Sequence, residues 1–216
     1  MLKNRLKAIA IFVDKEDKIV DIGCDHSLLA IHLIKENIIK KAIVSDINPN
    51  ALENAIINIQ KANLEDKITP ILSDGLENIP INEINTIIIS GMGTTNILKI
   101  LNNIPENINK LIIQSNNDYY NLRKTITKNN FYIVDETIIK ENNKYYLTIK
   151  FEKGNQRYKM KDYLFGIIKK DNLDYYKDIK KKYETIKEQI PKYRFIPRKR
   201  LQNLINQLDK IIKKSK

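Results

Sequence analysis

The chain has 216 residues, 42% of them hydrophobic, enough for one packed domain with an appendage and too apolar for a disordered tail. No run approaches the ~20 apolar residues of a membrane span, so none is expected. A single cysteine, Cys24, excludes an internal disulfide and fits a reducing cytoplasm.

The net charge of +12 is unevenly placed: residues 157–216 hold 19 of the 38 basic side chains but only 7 of the 26 acidic ones. The first 156 residues are therefore neutral. A neutral body with a basic arm suits a polyanion such as nucleic acid, the alternative being a solvated lysine-rich surface. The opening MLKNRLKAIAIFV is too short in its apolar run for a secretory leader.

Leu6, Ile9, Ala10 and Val13 recur at helical spacing, which predicts a short N-terminal helix beside the body. Residues 18–22 then read as a strand ending on Asp21, with a turn at Gly23 and a helix over 27–36 that Ser27 can cap. His32 falls on that helix's apolar stripe and reads as a packed structural residue. A second strand, 41–46, ends on Asp46. Asn48-Pro49 opens the next helix, which runs to Lys61.

The alternation continues with a strand at 67–72 before Ser73-Asp74-Gly75, and another at 86–90 before Gly91-Met92-Gly93. A helix over 95–101, a strand at 110–114 and a helix capped by Asp118 complete five βα units. Two β-rich runs, 131–139 and 144–152, then close the body as a hairpin. Five parallel strands with right-handed crossovers and an antiparallel terminal pair predict an α/β fold with a seven-stranded, mostly parallel Rossmann-like sheet.

Beyond Gly154, apolar residues from Tyr163 to Ile190 recur at three- and four-residue intervals. Pro191 and Pro197 bracket a connection, and Leu201, Leu204, Ile205, Leu208 and Ile211 form a second stripe. These predict an antiparallel helical hairpin like a short coiled coil, its second helix only a few turns long. The domains are thus 1–156 and 157–216.

Acids end three consecutive strands. Asp21 is placed for an ammonium group, Asp46 for a vicinal diol and Asp74 for an adenine amino group. A dinucleotide site would need G-x-G-x-x-G, whereas Cys24, Asp25, His26 and Ser27 follow Gly23 and put a carboxylate where pyrophosphate would come.

DIGCDHSLL, the SDG after the third strand, GMG after the fourth and QSN after the fifth together resemble the bacterial tRNA (adenine-22-N1)-methyltransferase family, TrmK. That family shows D-I-G-S-D-H-A-Y-L-P, D-G-L, G-M-G-G and L-I-L-Q-P-N, with a C-terminal helical coiled coil. The likeness runs from Leu6 to the end. Cys24 stands for serine, Leu28 for an aromatic residue, Ala30 for proline, Thr94 for the last glycine of G-M-G-G and Ser115 for the proline of Q-P-N. Asp46 takes the place of a frequent glutamate.

The resemblance implies a class I methyltransferase that moves a methyl group from S-adenosylmethionine to N1 of adenine 22 in tRNA. It implies a cofactor site of Asp21, Gly23, Cys24, Asp46, Ile47, Asp74, Gly75, Gly91 and Met92. Asp25, His26, Gln114 and Asn116 are the candidate catalytic residues, the amides of the last two facing a flipped base. Cys24, in the cofactor turn, is not read as a nucleophile. Lys180, Lys181, Lys182, Lys192, Arg194, Arg198, Lys199 and Arg200 are the candidate tRNA phosphate contacts. A cytoplasmic monomer without membrane contact is expected. The alternatives are another RNA methyltransferase on the same fold, or an RNA-binding protein with a vestigial pocket.

Overall fold

The structure is a computed structural model that describes residues 4–214. The first three residues of the chain and the last two of the expected helical arm lie outside the described residues.

Helix α1 (Asn4–Ala10) precedes β1 (Ile19–Ile22), which is buried along its whole length, as a strand covered on both faces must be. Then follow α2 (Leu28–Lys35), β2 (Ala42–Asp46), α3 (Pro49–Lys61), β3 (Ile68–Leu72), β4 (Thr86–Met92), α4 (Thr94–Ile100), β5 (Lys110–Ser115) and α5 (Tyr119–Lys128). The long hairpin of β6 (Phe131–Glu141) and β7 (Lys144–Lys153) ends the sheet. Among the described residues the strands form one seven-stranded sheet in the order β3-β2-β1-β4-β5-β7-β6. The pairs from β3 to β5 are parallel, and β7 is antiparallel to both β5 and β6. This is the expected Rossmann-like sheet with its antiparallel end.

Local chemistry accounts for most boundaries. Asn48 caps α3 by accepting from the Asn50 amide at 2.9 Å, with Pro49 in the first turn. Asp118 caps α5 by accepting from the Asn121 amide at 3.2 Å. The hairpin turns on two residues, Asn142 and Asn143, both at positive φ, the backbone that matches the twist of paired strands. Ser27 does not cap α2 with its side chain, contrary to expectation. It sits in the left-handed region at φ 55°, and its buried hydroxyl has no partner among the described residues.

The chain divides between Phe165 and Gly166, later than the expected boundary at 156. The difference is α6 (Met160–Phe165), which belongs to the first unit. Arg123, paired with Glu136 inside that unit, donates to the Tyr163 carbonyl at 2.9 Å, and the Ile133 amide donates to the Tyr158 hydroxyl at 2.7 Å.

The second unit is a pair of helices, α7 (Leu173–Gln189) and α8 (Phe195–Lys214), packed on each other. Ile205 and Leu208 of the predicted stripe are buried, as is Tyr176. Helix α8 has 20 residues rather than a few turns, because Pro197 lies inside its first turn, where a missing amide costs no helical bond.

Candidate active site

The strand order reverses between β1 and β4, so the connections leaving their carboxyl ends diverge and leave a crevice, the usual ligand position in an open α/β sheet. A cavity of about 300 Å³ occupies this place. It is lined by Asp21, Gly23, Cys24, Asp25 and His26 from the first turn, by Leu28 and Leu29 of α2, and by Asp46, Ser90, Gly91 and Met92. Arg5 and Leu6 of α1 complete it.

The first turn is folded back on β2. The amides of Gly23 and Cys24 both donate to the Ser45 carbonyl, at 2.8 and 3.0 Å. Gly23 has φ +73°, and a Cβ there would lie 2.3 Å from the Met92 methyl group, so Met92 lies directly against the turn. Asp25 and Ser27 are also left-handed, at φ 50° and 55°. Such backbone is costly for residues with a side chain and concentrates at functional sites.

The carboxylates differ in their environments. Asp21 is only 4% exposed and accepts no hydrogen bond among the described residues. Burial, with the nearby Asp46 charge adding to it, raises its pKa to about 7. Asp46 accepts from the Asn48 amide at 2.9 Å and lies 3.4 Å from the Asp25 amide. Asp25 and His26 form an exposed pair at the rim, Oδ1 to Nε2, 3.5 Å apart. His32 does not join them; it lies 4.0 Å from Glu36 on α2. The Cys24 thiol is raised well above its ordinary range by burial first and by Asp21 next, which leaves no thiolate for nucleophilic chemistry.

Across the crevice a second group of side chains ties two loops into one plate. A bulge at Gly91 (φ +79°) interrupts the pairing of β4 with β5. Gln114 fills it: its Oε1 accepts from the Gly91 amide at 3.1 Å, and its Nε2 donates to the Ser115 carbonyl at 2.8 Å. Asn116 Nδ2 donates to the Gly91 carbonyl at 2.7 Å. Thr94, in the position of the family's last glycine, is buried. Its hydroxyl lies 2.8 Å from that of Ser115 and donates to the Asn117 carbonyl at 2.6 Å.

The structure thus brings Asp21, Gly23, Cys24, Asp25, His26, Asp46, Gly91 and Met92 around one cavity. Gln114 does not present a free amide to a base: it is 1% exposed and both its ends hold backbone. Asn116 remains exposed beside it. Ile47, Asp74 and Gly75 lie beyond the cavity lining, Ile47 being 63% exposed after β2 and Asp74 exposed after β3.

Sequence reasoning missed Arg5, which α1 delivers to the cavity with its Nε buried and without a partner among the described residues. Nothing in the sequence set it apart from Lys3 and Lys7 on the polar side of the same predicted helix. Thr94, Ser115 and Asn117 were missed as the stitching of the plate.

In the second unit the basic residues are not equivalent. Lys180 is engaged by Asp209 at 2.6 Å and by Glu184 at 3.5 Å. Arg198 donates to the Lys187 carbonyl at 2.8 Å and to the Ile190 carbonyl at 2.5 Å. Lys181, Lys182, Lys192, Arg194, Lys199 and Arg200 are exposed.

The chain is similar to several known proteins. A family model described as a methyltransferase domain matches residues 2–149. A Mycoplasma genitalium protein named "Putative tRNA methyltransferase MG248" is 35% identical over 163 residues, 74% of this chain and 73% of its own. The tRNA (adenine(22)-N(1))-methyltransferase of Bacillus subtilis is 28% identical over 158 residues, 72% of this chain and 66% of its own. Among solved structures, TrmK of M. capricolum in complex with S-adenosylhomocysteine superposes with a TM-score of 0.88 at 33% identity, covering 100% of both chains.

Proposed function

The chain belongs to the tRNA (adenine-22-N1)-methyltransferase family, TrmK, and on that premise we propose that it methylates N1 of adenine 22 in tRNA, using S-adenosylmethionine. The supporting observation is the cavity at the strand-order reversal, where Arg5 keeps a buried Nε without a partner among the described residues and the buried Asp21 carboxyl, its pKa raised by burial, stands near Asp46. Unsatisfied buried polar atoms are rare and call for a ligand. S-adenosylmethionine carries an ammonium, a ribose diol and a carboxylate, which fit Asp21, Asp46 and Arg5 in turn. It supplies, when bound, an electrophilic methyl group.

Asp21 takes the ammonium, directly or through water, and that cation favours the charged form of a carboxyl otherwise half-protonated near pH 7. Asp46 accepts from the ribose hydroxyls. Arg5 pairs with the carboxylate. Asp74 takes the adenine amino group, with Ile47 against the ring and Gly75 shaping the turn beside it. Gly23, Cys24, Gly91 and Met92 line the reacting centre and limit water there.

The lone pair of adenine N1 makes a protein nucleophile unnecessary, in keeping with the raised Cys24 thiol. Asp25 and His26 at the rim offset the developing positive charge or accept the N6 proton. Asn116 offers its amide to the base edge, held in place by Gln114. The exposed lysines and arginines of the second unit contact tRNA phosphates without reading sequence. The protein works as a cytoplasmic monomer. Among the described residues no helix is long and apolar enough to cross a membrane.

Incubation with methyl-labelled S-adenosylmethionine and unmodified tRNA, followed by mapping of the modified base, tests the reading. Label at N1 of adenine 22 is expected. Label at another base or atom overturns the assignment of the target. Tight tRNA binding without any transfer favours the vestigial-pocket alternative.

A further inference from the structure

The turn joining α7 to α8 places large apolar side chains in the open. Tyr193 is 76% exposed, Phe195 77% and Ile196 69%, while Lys192 and Arg194 alternate with them. The turn is firmly built. The Arg194 amide donates to the Pro191 carbonyl at 3.0 Å, and Arg198 reaches back across the turn to the last carbonyls of α7. Cationic closure of a helix carboxyl end in this way is stabilising. The aromatic rings are therefore presented by a braced backbone, with little ordering left to occur on binding.

Exposed apolar area of this kind is favourable only when something covers it. The alternating cations decide what. An apolar protein surface would strand Lys192 and Arg194 away from water, at a desolvation cost that no acidic residue in the turn offsets. Unpaired nucleotides supply both halves of the match: a flat base for each ring and a phosphate for each cation. Paired RNA does not, because its bases are already stacked on one another.

We propose that this turn is a stacking platform for unpaired bases of a tRNA loop, with Tyr193 and Phe195 as the platform and Lys192 and Arg194 on the adjoining phosphates. The proposal rests on tRNA being the substrate.

The test uses full-length protein, a fluorescently labelled unmodified tRNA with adenine at position 22, and a fully paired RNA duplex, with affinities read over a salt series. Tyr193→Ala combined with Phe195→Ala should weaken tRNA binding about thirtyfold or more as two stacking contacts are removed. It should leave the salt slope, the affinity for duplex and the affinity for S-adenosylhomocysteine unchanged, the last showing that the catalytic unit is intact. Tyr193→Trp with Phe195→Trp should retain binding. Lys192→Ala combined with Arg194→Ala should instead lower the salt slope by about two, one for each phosphate no longer neutralised.

Unchanged tRNA affinity in the alanine pair overturns the platform. So does an equal loss toward tRNA and duplex, which would mark a general charge or folding effect. Sedimentation in which the wild type dimerises and the alanine pair does not, with tRNA affinity unchanged, assigns the turn to a second copy of the chain and also overturns it. The two readings fail separately. Wild-type methylation of adenine 22 with the same KM in the alanine pair removes the platform alone. The expected pattern of binding without transfer removes the proposed reaction alone.

Discussion

The two ends of the sheet handle their buried charges in opposite ways. At the amino end Lys110 reaches Asp14 and both oxygens of Asp17, the latter at 2.7 and 2.8 Å, and the Thr86 hydroxyl donates to Asp17 at 3.0 Å. The hollow beside them is the larger of the two, about 710 Å³, and is lined by Lys15, Lys18, Lys40 and Lys41. At the carboxyl end the hollow is smaller, about 300 Å³, yet Arg5 Nε has no partner and the buried Asp21 forms no ion pair among the described residues, with the Asp46 charge nearby. Size alone would select the wrong end. What separates them is electrostatics: at one end the buried Asp17 is paired with Lys110, and at the other the buried Asp21 has no cation paired with it among the described residues.

The largest effect should come from breaking the satisfied end. Lys110→Ala leaves Asp17 buried without its cation and should cost about 3–5 kcal/mol in chemical denaturation. S-adenosylmethionine affinity of the folded fraction should not change. A matching loss of affinity would erase the distinction between the two ends.

At the ligand end the sign reverses. The Asp21 pKa is raised to about 7 in the fold, against about 3.9 in an unfolded chain, so the folded state holds the proton more tightly. The stability this contributes is complete below about pH 4 and is lost as pH rises through about 7. Asp21→Asn should therefore stabilise the ligand-free protein at pH 8 by on the order of 3 kcal/mol, while weakening cofactor binding. Titration calorimetry at pH 6 in buffers of different ionisation enthalpy should show close to one proton released on cofactor binding by the wild type, and none by the variant. Equal proton release from both would assign that proton elsewhere.

Asp46→Ala removes an acceptor for the ribose hydroxyls and should weaken S-adenosylmethionine binding by about 1.5–3 kcal/mol, measured by calorimetry. Unchanged affinity would contradict its role. The smallest effect is expected from Gly23→Ala. Its positive φ should cost about 1–2 kcal/mol of stability, because the Met92 methyl group it meets is at the free end of a flexible side chain. A thermal shift much larger than this cost would show that Met92 is held rigidly over the turn.

Much of this contrast was legible in the chain itself. Alternating apolar runs and helical stripes marked all seven strands, and acids near the carboxyl ends of β1, β2 and β3 marked the ligand end. Asp21 and Asp46 now line one cavity, while Asp74 lies beyond it. The rest depends on contacts remote in sequence. Gln114 looked free because nothing nearby in the chain reveals that its amide closes a bulge 23 residues earlier. Arg5 was not singled out, because only the docking of α1 brings it to the crevice. Ser27 looked like a cap because its type favours one, but the turn twists it into the left-handed region. Pro197 looked like a boundary, although a helix's first turn accepts proline.

The place of β7 governs the order in which the protein becomes whole. Gln114 on β5 lies opposite Thr148 on β7, so the strand that carries half of the hydrogen-bonded plate beside the crevice finds its outer neighbour in chain made later. A nascent or truncated polypeptide ending before residue 144 exposes β5 as a bare apolar edge, open to pairing with other chains. The closing hairpin is thus the step that ends the vulnerable period of synthesis. The basic helices leave the ribosome after it, when the sheet already has every strand it needs.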